Sequence, residues 1–255
     1  MNRITEAFEG KKAFIAFITG GDPDIETTEK LVIAMEEAGA DMIEIGIPFS
    51  DPIAEGSVIQ EADVRALAGG CTVDHLFAMV KGLRSKARIP LLFMTYLNPI
   101  FVYGKDRFME KCADSGIDGV IVPDLPFEEQ GELSDTCERH GIDLISMIAP
   151  TSEERIAAIA KNAQGFLYCV SSMGVTGVRN EITTDMATMV SQVRKVSPLP
   201  CAIGFGISTP KQAGDMAQVS DGVIVGSAIV KLVGEFGRGS VEPVKRFVHD
   251  MKAAM

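Results

Sequence analysis

One carboxylate stands where its neighbours argue against a charge. Glu44 lies within Met42-Ile43-Glu44-Ile45-Gly46-Ile47, an apolar run of strand character. Side chains alternate along a strand, so Glu44 shares a face with Met42 and Gly46. If that face points into an enclosed core, the carboxyl group loses hydration and its pKa rises, which suits a general acid or base near neutral pH. If it points outward to a helix or meets a lysine, its role is structural. The stretch that follows, from Pro48 to Ser57, is long and dense in Pro, Gly and acids, as binding loops and lids are. It adds Asp51 and Glu55, either of which, taken alone, also reads as a solvated surface charge.

Two glycine clusters later in the chain suggest a different task. Gly204-Phe205-Gly206-Ile207-Ser208 and Gly226-Ser227 each follow an apolar run and lead into a helical pattern. Glycine lets backbone approach a ligand closely, and a helix N-terminus turns its amides toward an anion. The nearest cations in sequence, Lys211 and Lys231, stand a turn or so beyond. Amides and Ser227, rather than Lys or Arg, are therefore expected to bind a phosphate. Between these clusters and the early acids lies Ser171 to Asn180, in which Gly174 and Gly177 flank Val175-Thr176. That segment reads equally as a mobile lid or as a plain connector.

The elements that position these residues alternate. Apolar runs at Ala13–Thr19, Met42–Ile47, Pro90–Met94, Gly119–Val122, Ile142–Ile148, Gly165–Val170, Cys201–Gly204 and Gly222–Val225 read as strands. Helical patterns follow at Ile25–Ala38, Val73–Arg84, Lys105–Ser115, Phe127–His140, Glu153–Asn162, Asp185–Val196 and Lys211–Val219, and further helical segments finish the chain, the last from Val241 to Ala254. Thr72, Thr151 or Ser152, and Thr209 are candidate N-caps, with Pro210 in a first turn. Eight strand–helix units of about 30 residues predict one (β/α)8 TIM barrel over residues 1–255, with extra N- and C-terminal helical segments. A doubly wound open sheet ranks second, because Thr19-Gly20-Gly21-Asp22-Pro23 is not the G-x-G-x-x-G loop of dinucleotide folds. In a barrel, chemistry gathers where strands end, and phosphate is commonly held by the loops after strands seven and eight. The glycine clusters fall there.

Composition narrows the classes. The 255 residues carry a net charge of −11 and a pI near 4.8, which repels a nucleic-acid backbone. No apolar run is long enough to cross a bilayer, and Met1 to Lys12 has no signal-like hydrophobic stretch, so a cytoplasmic location is expected. Trp is absent and aromatics are 6 % of residues, so aliphatic side chains must build the core. Cys71, Cys112, Cys137, Cys169 and Cys201 are scattered and never paired as C-x-x-C, and His75, His140 and His249 are equally dispersed. Reduced thiols and no metal site are expected.

Seven ordered motifs carry a family resemblance. They are Phe17-Ile18-Thr19-Gly20-Gly21-Asp22-Pro23, Glu44 through Pro52, Tyr96-Leu97-Asn98-Pro99, Pro123-Asp124-Leu125-Pro126, Gly174-Val175-Thr176-Gly177, Gly204 through Ser208, and Gly226-Ser227. In order and spacing they resemble the alpha subunits of tryptophan synthase across essentially the whole chain. The resemblance implies a retro-aldol cleavage of indole-3-glycerol phosphate to indole and glyceraldehyde 3-phosphate. Glu44 then matches the principal acid/base. Glu55 matches the carboxylate facing the ring N–H, where the family often has Asp, and Ser57 stands where Pro is common. Tyr168 matches a tyrosine near the catalytic Glu, and Thr176 a lid residue that meets the second carboxylate. Phe17, Tyr96 and Phe205 match residues beside the indole pocket, though barrel packing would explain them too. Gly177, Gly206, Gly226 and Ser227 match phosphate contacts. Asp51 and Pro52 match the loop touching a beta subunit in an α2β2 complex. The resemblance implies no cofactor in this chain, with PLP confined to the partner. A non-catalytic regulatory subunit and a barrel acting on another sugar phosphate are the competing readings.

Overall fold

The computed structural model describes residues 2–170, 186–204 and 206–255. Thr176, Gly177 and Phe205 lie outside the described residues. The chain starts with α1 (Arg3–Glu6), β1 (Ala13–Thr19), α2 (Ile25–Glu37) and β2 (Met42–Gly46). Next come α3 (Ser57–Ala68), α4 (Val73–Leu83), β3 (Leu91–Met94), α5 (Leu97–Tyr103), α6 (Lys105–Ser115) and β4 (Gly119–Ile121). They are followed by α7 (Gly131–His140), β5 (Asp143–Ile148), α8 (Glu153–Asn162), β6 (Gln164–Val170), α9 (Met186–Arg194) and β7 (Cys201–Gly204). The last elements are α10 (Pro210–Val219), β8 (Gly222–Val225), α11 (Ser227–Phe236) and α12 (Val241–Ala253). The strands are parallel in sequence order and β1 pairs with β8, which closes the barrel.

Alternation divides the apolar residues into two layers. Ile15, Met42, Leu92, Ile121, Ile145, Phe166, Ala202 and Ile224 fill the barrel interior. Phe14, Ala16, Ile18, Ile43, Ile45 and Phe93 face outward under the helices. This two-sided burial is why the strands read as continuous apolar runs rather than alternating ones. The short helix α1 stoppers the lower end. Ile4 and Ala7 join the interior cluster, and the Phe8 ring packs on Phe166 with centroids 5.6 Å apart.

Two helices have no counterpart in the sequence reading, α3 and α5, while α1 is the expected N-terminal helical segment. The pattern of α3 was available, since Ile59, Ala62 and Ala66 are buried on one face, but the Pro- and Gly-rich run before it extended the loop past its start. The helix expected over Phe127–His140 is broken. A 3-10 turn covers Phe127–Glu129 and the α-helix begins at Gly131. The Gln130 N–H closes on Phe127 O, and its side-chain amide donates to Ser146 Oγ at 3.2 Å, so a tertiary contact sets the break. Ser152, not Thr151, caps α8 through its Oγ.

An ionic knot ties the lower ends of β3 and β4 to α1 and α4. Asp118 accepts from Arg84 Nη2 at 2.6 Å and from the Leu91 N–H at 2.9 Å, and it pairs with Arg3 at 2.9 Å. Arg84 also donates to Gly116 O and Ile89 O, each at 2.7 Å. Replacing Asp118 with Ala strands a largely buried guanidinium, and we expect a stability loss on the order of 3–5 kcal/mol. Urea unfolding of Asp118→Ala against wild type measures it, and a loss under about 1 kcal/mol would show that water reaches Arg84 freely.

Candidate active site

The upper mouth of the barrel gathers the acids. In β2, Glu44 is level with Phe17 of β1 and Leu92 of β3, on the inward face that it shares with Met42. It is 0 % exposed, and among the described residues neither carboxyl oxygen has a hydrogen-bond partner. Burial pushes its pKa up to about 8. The inward-facing reading therefore holds, and among the described residues no lysine pairs with it. Two glycines shape the space around it. A Cβ at Gly46 would stand 2.7 Å from the Phe17 ring, and one at Gly204 would stand 2.7 Å from the Tyr168 ring. Both rings lean into room that only glycine leaves.

Glu55 reaches the same mouth from the β2–α3 loop. It is buried, and its Oε2 has no partner among the described residues. Burial pushes its pKa up to about 7, against the pull of the Glu55 and Ala54 backbone N–H groups, and the charge of Asp124 adds to the rise. The loop is held at several points. Ala54 N–H donates to Tyr96 Oη at 2.9 Å, the Tyr96 ring packs on Phe49 with centroids 5.5 Å apart, and Gln60 Nε2 donates to Glu55 O at 2.8 Å. Tyr96, expected beside the ring pocket, is thus also a loop anchor. Asp124 fixes the next wall by accepting the Leu97 N–H at 2.9 Å. Sequence reasoning had placed Asp124 only within a motif and gave Phe49 no separate role.

Tyr168 joins the two carboxylates. Its phenol is held well above its ordinary pKa by burial first, then by the charges of Glu44 and Glu55. The phenol stays protonated near neutral pH, a donor beside two acids.

Across the mouth, Gly206 has φ +74°, a conformation that favours glycine. Gly226 precedes α11, which starts at Ser227 without a side-chain cap. A Cβ at Gly226 would sit 3.3 Å from Phe17, so the start of α11 adjoins the ring level with Glu44. The start of α10 is different. Gln212 Oε1 takes the N–H groups of Ser208 and Thr209 at 2.9 and 3.1 Å, and Thr209 closes a capping box. Its own side chains satisfy that end, so the opening amides of α11 are the freer donors. Lys211 is tied to Asp215 at 2.6 Å. Among the described residues no cluster of His, Cys, Asp and Glu could hold a metal ion, and no helix is long and apolar enough to cross a membrane.

On the rim, Asp51 is exposed and Pro52 half-buried. Beside them Ile53 is 73 % exposed, and Phe101 and Val102 of α5 are 44 % and 81 % exposed. The Ala54–Tyr96 hydrogen bond links these two stretches.

A closed (β/α)8 barrel with two uphill-shifted carboxyl groups at the C-terminal strand ends, facing a glycine-lined helix start, has the make-up of an acid/base enzyme for a phosphorylated substrate. The comparisons with known proteins specify the class. The family model described as tryptophan synthase alpha chain matches residues 5–255. A tryptophan synthase alpha chain of Lactiplantibacillus plantarum is 52 % identical over 234 residues, covering 91 % of this chain and 89 % of the relative. A solved tryptophan synthase subunit alpha from Legionella pneumophila str. Paris superposes with TM-score 0.91 at 37 % identity, covering 100 % and 98 %. A chain of the tryptophan synthase complex from Pyrococcus furiosus gives TM-score 0.87 at 35 % identity, covering 94 % and 98 %. The chain belongs to the tryptophan synthase alpha chain family.

Proposed function

We propose that this protein cleaves indole-3-glycerol phosphate to indole and glyceraldehyde 3-phosphate. One observation carries the reading: Glu44 is a fully buried carboxyl group, without a hydrogen-bond partner among the described residues, that is protonated near neutral pH and shares the barrel mouth with a second acid. The reaction needs such a group twice. Glu44 delivers its proton to indole C3, and the electron pair that forms the new C–H bond leaves positive charge at the ring nitrogen. Glu55, as carboxylate, accepts the ring N–H hydrogen bond and balances that charge. The Glu44 carboxylate then takes the proton of the side-chain hydroxyl. The C–C bond breaks, its electrons restore the aromatic ring, and the hydroxyl carbon becomes the aldehyde of glyceraldehyde 3-phosphate. Tyr168 keeps its proton beside the acids. Phe17 borders the indole, with Tyr96 behind the loop and Phe205 assigned to the same pocket by resemblance. Gly206, Gly226 and Ser227 hold the phosphate by amides and hydroxyl, with Gly177 and the lid residue Thr176 assigned by resemblance.

The rim supports a partner. Asp51 and Pro52 flank exposed Ile53, and the apolar side chains of α5 continue the surface. A beta subunit docked there in an α2β2 complex covers them and receives indole from the mouth. PLP belongs to that partner, and this chain works without a cofactor of its own. Its place of action is the cytoplasm.

Release of indole from indole-3-glycerol phosphate, slow for the chain alone and faster with a beta subunit, tests the whole reading. Glu55 separates it from a merely regulatory subunit. Glu55→Gln keeps size but loses charge, and we expect kcat to fall by about 10²-fold. Glu55→Asp keeps the charge with a shorter arm, and we expect activity within about fivefold of wild type. A large gain for Glu55→Asp would instead mark the wild-type site as degraded.

A further inference from the structure

Among the described residues, the buried side-chain oxygens without a hydrogen-bond partner are both of Glu44, Oε2 of Glu55, Oγ1 of Thr19 and Thr95, and Oγ of Ser240. The acids have work in the chemistry above. Ser240 opens the outer helix α12. Thr95 follows Met94, so alternation sets it on the outward face with Phe93. Thr19 is placed differently. It ends β1 and is 3 % exposed. Alternation puts it on the inward face with Ile15 and Phe17. It is level with Gly46 of β2, one inward layer beyond the pair of Phe17 and Glu44 toward the mouth. Gly46 offers it no side chain, and the carbonyls of both residues already have donors: Thr19 O takes the Asp22 N–H at 3.3 Å and Gly46 O the Gly20 N–H at 2.8 Å. The cluster beside it, Phe17 with Ile59, Ala62 and Val230, is apolar. A buried hydroxyl left unpaired costs stability, and at the mouth of a site the partner that relieves it is the ligand.

We propose that Thr19 hydrogen-bonds the side-chain hydroxyl of the substrate that takes no part in bond breaking, and so sets which glycerol chain the site accepts. The inference rests on the substrate proposed above. Strand order carries the argument. β1 lies between β2, which bears Glu44, and β8, which leads to Gly226 and Ser227. The start of α11 in turn adjoins the Phe17 ring. In indole-3-glycerol phosphate three carbons join the ring to the phosphate. The first carries the hydroxyl that Glu44 deprotonates, and the last carries the phosphate. With the ring beside Phe17, the reacting carbon at Glu44 and the phosphate at α11, the middle carbon crosses the end of β1. Its hydroxyl is the polar group of the chain still without a partner, and Thr19 Oγ1 is the unpartnered hydroxyl at that strand end. A hydroxyl both donates and accepts, so the two pair in either sense. A site built to bond a substrate hydroxyl discriminates against the analogue that lacks it.

A cycle of ligands and variants tests it. The ligands are indole-3-glycerol phosphate and its analogue without the middle hydroxyl. Thr19→Val keeps the shape of the side chain and deletes the hydroxyl, whereas Thr19→Ser keeps the hydroxyl. On the full substrate, kcat/KM is expected to fall about tenfold in Thr19→Val and less than about threefold in Thr19→Ser. On the analogue, wild type and Thr19→Val should be equal. The urea midpoint of Thr19→Val should match or exceed that of wild type, because its hydroxyl has no partner in the protein to lose. Equal kcat/KM on the full substrate, or the same drop on both ligands, overturns the proposal. So does a Thr19→Val chain that is less stable than wild type or does not fold, since the hydroxyl would then be bonded within the protein. Binding is read apart from cleavage in a Glu44→Gln background. The chain has no Trp, so indole fluorescence reports the ligand. There Thr19→Val is expected to weaken the full substrate about tenfold and leave the analogue unchanged. A chain that shows this difference in binding while its wild type releases no indole would count against the catalytic reading and leave Thr19 its role. A chain that releases indole and shows no such difference would do the reverse.

Discussion

Glu44→Gln is expected to lower kcat for indole release by about three orders of magnitude while the barrel stays folded. The substitution keeps the shape and burial of the side chain and removes its exchangeable acid proton. General acid–base catalysis by a positioned side chain is typically worth about 10²–10⁴, and here one group serves both proton transfers. The proposed reading has substrate held by the ring pocket and the α11 amides, away from this proton, so KM should change by less than about fivefold. Steady-state indole release, with circular dichroism as the check on folding, measures both. A folded Glu44→Gln protein with more than about a tenth of wild-type kcat would remove Glu44 from the chemistry.

The same residue should make the wild-type protein lose stability as pH rises. The pKa of Glu44 goes from an ordinary 4.5 to about 8 in the folded chain, so folding favours its protonated form. That contribution is complete below pH 4.5 and is lost progressively as pH climbs to about 8. Each unit in that window costs up to about 1.4 kcal/mol, which makes the loss roughly 3 kcal/mol by pH 7. Glu44→Gln cannot ionise and escapes it, so the variant should be the more stable protein at pH 8 by several kcal/mol and nearly equal at pH 5. Glu55 and Asp63 shift in the same direction, so the difference between variant and wild type isolates Glu44. Asp106 and Glu128 are held below their ordinary range, chiefly by Thr136 and Arg155 respectively, and they act with opposite sign in a more acid window. Urea midpoints at pH 5 and 8 for both proteins supply the comparison, and parallel pH profiles would mean that water reaches the Glu44 carboxyl group. A site residue that weakens the fold at working pH is the usual mark of function retained against stability.

The sequence by itself determined the barrel and the acids. Periodicity marked all eight strands, because strands buried on both faces read as unbroken apolar runs whatever surrounds them. Glu44 was legible for the same reason, since a charge inside such a run has no cheap explanation. Gly206 and Gly226 stood out in the sequence as positions for close backbone approach, and the structure gives Gly206 a positive φ and sets Gly226 against Phe17. Only the tertiary structure decided which carboxyl groups meet. Asp63 looks like any helix acid until α3 packs its stripe inward and leaves it 6 % exposed. The capping box that occupies the α10 end and leaves α11 the freer donor, and the Tyr96 hydroxyl that ties Ala54 to the wall, are likewise contacts between segments. Periodicity reports which side of an element is apolar. The pKa of a buried acid depends instead on what the fold sets against it and how completely it shuts out water, and neither is a local property of the chain.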